Sequence, residues 1–192
     1  MKNLLFLLAG AMVFSAVADE VFNENKFLAE GRALEWNKKI SEARDHYLKG
    51  LEKPLSPSVR RIVLNRCAMF GRSNAEKENF LLRASMVTGA DPTETYRTFL
   101  LLGLMNVRKS PDKALGYFLN FGEEKKVAPA LVYSGYLEAG RIVERQKKYQ
   151  EALDYYRKAL AAGKAVTYKF NYSAAEKAIA KVEGLLKKGD EK

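Results

Sequence analysis

Apolar residues along this chain recur at spacings of three and four, and no stretch sustains the alternation of a half-buried strand. From about residue 23 onward the pattern predicts helices alone. Their starts carry the chemistry of helix caps: Ser56-Pro57, Ser73-Asn74-Ala75-Glu76, Asp91-Pro92-Thr93-Glu94, Ser110-Pro111 and Ser173-Ala174-Ala175-Glu176. Each offers a side-chain oxygen to the unpaired backbone N–H groups of a first turn. Three supply the Glu of a capping box, and three place Pro at the first helical position, where its missing N–H costs nothing. Pro54, Gly71, Gly89, Gly122 and Gly163 fall mostly at the joints. The spacing predicts four helical hairpins, near 23–53, 57–89, 92–122 and 127–163, followed by an amphipathic helix near 172–188. That helix carries Ala175, Ile179, Val182 and Leu186 on one face and Lys177, Lys181 and Lys188 elsewhere.

The first and last hairpins repeat each other. GRALEWNKKISEARDHYLKGL, Gly31 to Leu51, aligns without a gap with GRIVERQKKYQEALDYYRKAL, Gly140 to Leu160, and eleven of twenty-one positions are identical. Average composition gives roughly one or two by chance. The offset of 109 residues is close to three units of about 36, so two more degenerate units are expected between the copies.

Within those units the spacing resembles the tetratricopeptide repeat family. Its first helix carries a bulky aromatic, a Gly or small residue and an apolar residue; its second carries Ala, an aromatic four later and a small residue three after that. The last full unit has Tyr136, Gly140 and Val143, then Ala152, Tyr156 and Ala159. The first has Phe27, Gly31 and Leu34, then Ala43, Tyr47 and Gly50. The third matches loosely through Phe99, Gly103, Ala114, Phe118 and Phe121, with an inter-helix turn one residue short, and the second keeps only the hairpin pattern. The loop proline expected near the repeat's end is Lys164 in the last unit and falls at neighbouring Pro54 in the first. The Sel1-like repeat, with longer loops, is the runner-up for the middle units. The resemblance implies an all-α, right-handed solenoid of about four hairpins over residues 19–192, closed by the C-terminal helix as a cap.

It also implies a partner-binding groove, because in this family the first helices line a concave face that holds an extended peptide or a helix. Carried over by the motif, that face is Leu28, Arg32, Glu35 and Trp36 in the first unit, Arg97, Leu100 and Arg108 in the third, and Leu137, Arg141, Glu144 and Arg145 in the fourth. An Arg-rich groove suits an acidic or carboxylate-bearing segment. The alternative is that Arg32–Glu35 and Arg141–Glu144 satisfy each other as pairs three apart on one helix. The Asn- and Lys-bearing clamp that some family members use for a C-terminal carboxylate is not reproduced.

The start of the chain changes the setting. Lys2, an apolar run from Leu4 to Ala18 and the small-x-small ending Ala16-Val17-Ala18 are expected to form a signal peptide over 1–18. A run of about fifteen apolar residues is short for a bilayer span, which needs roughly twenty. The expected location is therefore periplasmic or secreted. The formal net charge is +10. In an exported chain that charge points away from nucleic acid and toward an acidic protein, an anionic envelope polymer or a membrane surface.

Candidate chemistry is sparse. Cys67 stands alone, so no internal disulfide forms, and it shares a helical face with Val63 and Phe70 as a small core residue would. His46 is the one histidine and lies beside Tyr47 on a packing helix, so neither a metal site nor a cofactor is expected. GxSxG, HExxH, GxxxxGK and GxGxxG are all absent from the sequence, and no catalytic residue is expected. Three readings follow. The first is an exported interaction scaffold or adaptor of the cell envelope, holding a protein or peptide in its groove. The second is a binder of anionic envelope polymer or membrane surface. The third is an uncharacterised enzyme, which no residue here supports. Self-association is compatible with each.

Overall fold

The computed structural model of the chain describes residues 22–121 and 124–190, the last two by their backbone alone; the expected leader at 1–18 and the joint at Gly122 lie outside them. Among the described residues every regular element is helical. The helices are α1 (Glu24–Trp36), α2 (Ile40–Gly50), α3 (Pro57–Met69), α4 (Asn74–Ser85), α5 (Pro92–Asn106), α6 (Pro111–Phe118), α7 (Pro129–Arg145), α8 (Tyr149–Lys164) and α9 (Ser173–Asp190), with one 3-10 turn at Glu124–Lys126. They pack in adjacent pairs: α1 on α2, α3 on α4, α5 on α6, α7 on α8, and α9 on α8. The first helices α3, α5 and α7 also touch in sequence.

Two of the expected caps form as anticipated. Ser73 accepts from the Glu76 N–H, and one Asp91 oxygen accepts from both Thr93 and Glu94 N–H groups. The other starts differ. Ser56 and Ser110 make no side-chain cap bond, and the Pro after each has already removed one of the orphan donors. Ser56 instead donates its hydroxyl to Glu24, 2.8 Å away, tying α3 to the start of α1. At α9 the capping side chain is Asn171, which accepts from the Ser173 N–H at 3.0 Å; Ser173 is already helical.

The turns inside the first and last hairpins are copies of each other. Lys38 N–H bonds the Glu35 carbonyl and Lys39 N–H the Leu34 carbonyl; Lys147 bonds Glu144 and Lys148 bonds Val143 in the same way. These are Schellman closures, which need a left-handed residue one past the cap. Glycine usually fills that place. Here Lys38 (φ 58°) and Lys147 (φ 63°) do.

Packing inside the hairpins turns on a glycine facing a ring. A Cβ on Gly31 would stand 2.5 Å from the Tyr47 ring, one on Gly140 2.5 Å from Tyr156, and one on Gly103 2.4 Å from Phe118. Those three rings are fully buried. The missing side chains let the helix backbones close onto flat aromatic faces, each of which buries roughly 150–250 Å². A further junction joins the third and fourth hairpins. Tyr96 threads past Gly135 and donates to the Phe118 carbonyl at 2.7 Å, satisfying the end of α6.

Candidate partner-binding site

Glu35 and Glu144 lie four residues after the glycines of the first and fourth hairpins. There each accepts a hydrogen bond of 2.6 Å from the tyrosine that fills the glycine gap, Tyr47 or Tyr156. The third hairpin has Phe118 in place of tyrosine, with no hydroxyl to satisfy, and the residue four after its glycine is Val107. The pairing is therefore Tyr with Glu and Phe with Val, as the cost of burying an unpaired hydroxyl or carboxylate requires. Burial and the hydrogen bond to the carboxylate push both tyrosine hydroxyls well above their ordinary range.

Each glutamate also meets a cation from the helix that follows its own hairpin. Glu35 pairs with Arg66 of α3 at 3.2 Å, and Glu144 accepts from Lys181 of α9. The pairs Arg32–Glu35 and Arg141–Glu144 do not form. Tyrosine and the following helix claim the glutamates, and Arg141 turns to Glu138 instead, at 2.5 Å. Burial works against ionisation of Glu144, but the bonds from Lys181 and Tyr156 outweigh it and hold its carboxyl below the usual range.

Around Glu144 the structure gathers a charged cleft of about 370 Å³. Arg141, Glu144 and Arg145 of α7 form one wall, Ala174, Lys177, Ala178 and Lys181 of α9 form the other, and Tyr156 lies between them. Glu183 holds α9 on α8 through Arg157, 3.0 Å away. Three of the residues expected in the groove are thus brought together in one cleft. Lys177 and Lys181 complete it from the helix expected only to cap the chain.

The remaining groove candidates lie elsewhere. Leu137 is buried in the core formed by Tyr133, Leu153 and Tyr156. Leu100 is half-buried against Val132 and Ala139, Arg97 is exposed and pairs with Glu94 at 3.2 Å, and Arg108 is exposed just past α5. Arg32 is exposed and Leu28 is half-buried. Trp36, at the end of α1, is 88% exposed. Two other large apolar residues on first helices are about half exposed, Met69 at 49% and Leu104 at 50%. They flank an apolar cleft of about 230 Å³ completed by Ala68, Lys77, Leu81, Leu101 and Met105. None of those seven residues follows from the groove pattern. The signal was available in the second hairpin, where methionines stand at helix ends, but its motif was too degenerate to set a register.

No family model, curated protein or solved structure matches the chain. The repeated geometry is therefore internal support, drawn from two copies within one sequence. Among the described residues no cluster of His, Cys, Asp and Glu could hold a metal ion, and no helix is long and apolar enough to cross a membrane. Cys67 is buried, and burial pushes its thiol up to about 12. His46 stacks on Phe27 with ring centres 4.4 Å apart and meets the Phe27 carbonyl through Nε2 at 2.9 Å, a packing role.

Proposed function

We propose that the chain is an exported interaction scaffold of the tetratricopeptide type, whose first helices form the concave face of a right-handed solenoid and hold a segment of a partner protein. The observation that carries this reading is the repeated Gly–Glu–Tyr arrangement, Gly31–Glu35–Tyr47 and Gly140–Glu144–Tyr156, with its Phe118 variant between them. One packing solution used at both ends of the chain is what a stacked repeat requires. Met69 and Leu104 add to it: two large apolar side chains left about half in water on first helices border one apolar cleft. Export rests on the leader expected at 1–18.

The test is affinity capture from envelope extracts. Wild type is compared with a variant carrying Arg141→Glu and Arg145→Glu, and separately with Trp36→Ala. Loss of a defined partner protein in either variant supports the scaffold. Retention of the same proteins at the same yield in both removes it. Binding to an anionic envelope polymer or membrane surface, favoured by the +10 charge, is separable by salt. A polyanion contact weakens steeply as salt rises, whereas a shape-complementary protein contact is held largely by apolar burial.

A further inference from the structure

The cleft between α7 and α9 holds more positive charge than its own carboxylates neutralise. Arg141, Arg145, Lys177 and Lys181 line it beside a single lining carboxylate, Glu144. Glu144 answers Lys181, and Glu138 answers Arg141. Among the described residues Arg145 and Lys177 form no ion pair. They are on facing helices and line the same recess.

We infer that α9 is half of a binding site as well as a cap, and that the α7–α9 cleft takes an acidic segment of a partner protein whose carboxylates meet Arg145 and Lys177. This rests on the scaffold reading and names the chemistry of its partner. Arg145 and Lys177 lie on opposite walls of the recess, so a segment laid along it meets a free cation from each helix.

A peptide fits this recess better than a uniform polyanion does. The Glu144 side chain is 15% exposed and sits among the cations. A polymer with a charge on every unit would press one against it. A peptide alternates carboxylates with backbone N–H groups, which the free lone pairs of Glu144 accept. Ala174 and Ala178 provide apolar lining for its stem atoms. A flat headgroup surface would meet the crests of the helices and leave that lining empty.

Because Lys177 and Lys181 come from α9, the site exists only while α9 is docked. A ligand that needs the docked helix stabilises it by linkage. Occupancy of the cleft and closure of the chain's C-terminal end are thus coupled.

The probe is a short fluorescein-labelled peptide with two Glu four positions apart in an Ala/Gln background, titrated into the full chain by anisotropy beside its Gln twin. The Glu peptide is expected to bind, and the Gln peptide to bind at least about tenfold more weakly. Arg145→Glu and Lys177→Glu each weaken the Glu peptide by at least about tenfold, while Lys49→Glu on α2 leaves it unchanged. Circular dichroism confirms that the variants are folded. Bound peptide slows amide exchange in α9. Unchanged binding in both charge reversals overturns the proposal. So does binding of inorganic polyphosphate or phosphatidylglycerol vesicles through Arg145 and Lys177 when the Glu peptide fails to bind. If capture of a partner is lost with Trp36→Ala while the Glu peptide does not bind, the scaffold reading stands and the clamp falls.

Discussion

Gly140→Ala is the substitution that most directly probes how the repeated hairpin is closed. In an open helix the change stabilises by about 1 kcal/mol, because Ala is the better helix former. At Gly140 the new Cβ would stand 2.5 Å from Tyr156 Cε1 and 2.6 Å from Cδ1. The ring cannot step aside freely: Tyr156 is fully buried and its hydroxyl is bonded to Glu144. Overpacking of this kind costs about 1–3 kcal/mol. Pulling the hydroxyl off the carboxylate costs about 1.5–3 kcal/mol more. Set against the propensity gain, a net loss of about 1.5–5 kcal/mol is expected. For a chain of this size that lowers Tm by roughly 3–20 °C. Gly184→Ala in α9 is the internal control, since a Cβ there meets nothing within 4 Å; it should raise stability by about 1 kcal/mol. Thermal and urea unfolding followed by circular dichroism at 222 nm reads both. If Gly140→Ala stabilises the protein as Gly184→Ala does, the glycine–tyrosine closure is refuted.

Three further outcomes follow from the same geometry. Lys38→Gly and Lys147→Gly, each relieving a left-handed non-glycine residue, should stabilise by about 0.5–1 kcal/mol apiece in urea unfolding, after the entropy cost of glycine is set against the strain; no gain at either would show that these turns hold no strain. Glu144 has a folded pKa held below its ordinary 4.5, so its contribution is present above the unfolded value and is lost as pH falls through the lower folded one. Glu144→Gln should therefore lower stability at neutral pH and flatten the fall in urea midpoint below about pH 4.5, and an unchanged acid limb would mean that the bonds to Lys181 and Tyr156 add nothing. Cys67, buried and with its thiol pushed up to about 12, should resist iodoacetamide at pH 8 in the native protein and react promptly in urea; rapid native labelling would place it at the surface.

The parts legible in the sequence are those whose cause is local. Period, cap residues and the near-copy of Gly31–Leu51 in Gly140–Leu160 were enough to anticipate an all-helical chain with its helices in adjacent pairs. Ser73 and Asp91 cap as their spacing implied. Ser56 and Ser173 did not, because the choice between capping and another partner was made by Glu24 in one case and by Asn171 in the other. The 3-10 turn at Glu124–Lys126 had no periodicity to announce it. At the candidate site the ion pairing, left open between two readings by the sequence, is decided in the same way. Arg32–Glu35 and Arg141–Glu144 look satisfied on a helical wheel, yet Tyr47 and Tyr156 draw the glutamates across the hairpin and Arg66 and Lys181 reach them from the helix after it. Lys177 and Lys181 read as the solvated side of a cap until the docking of α9 set them opposite Arg141 and Arg145. Tertiary contacts decided each of these, and no local rule contains them.

The claim at the centre is that the first helices hold a partner, and site-specific photo-crosslinking in intact cells tests it directly. A benzophenone side chain is placed at Met69 or Leu104 on first helices, and at Leu82, an exposed residue on the second helix α4, as the reference position. Met69 and Leu104 should each give a discrete adduct with a partner protein, and Leu82 should give none of that adduct. Adducts absent from both first-helix positions, or the same adduct from all three, would contradict it.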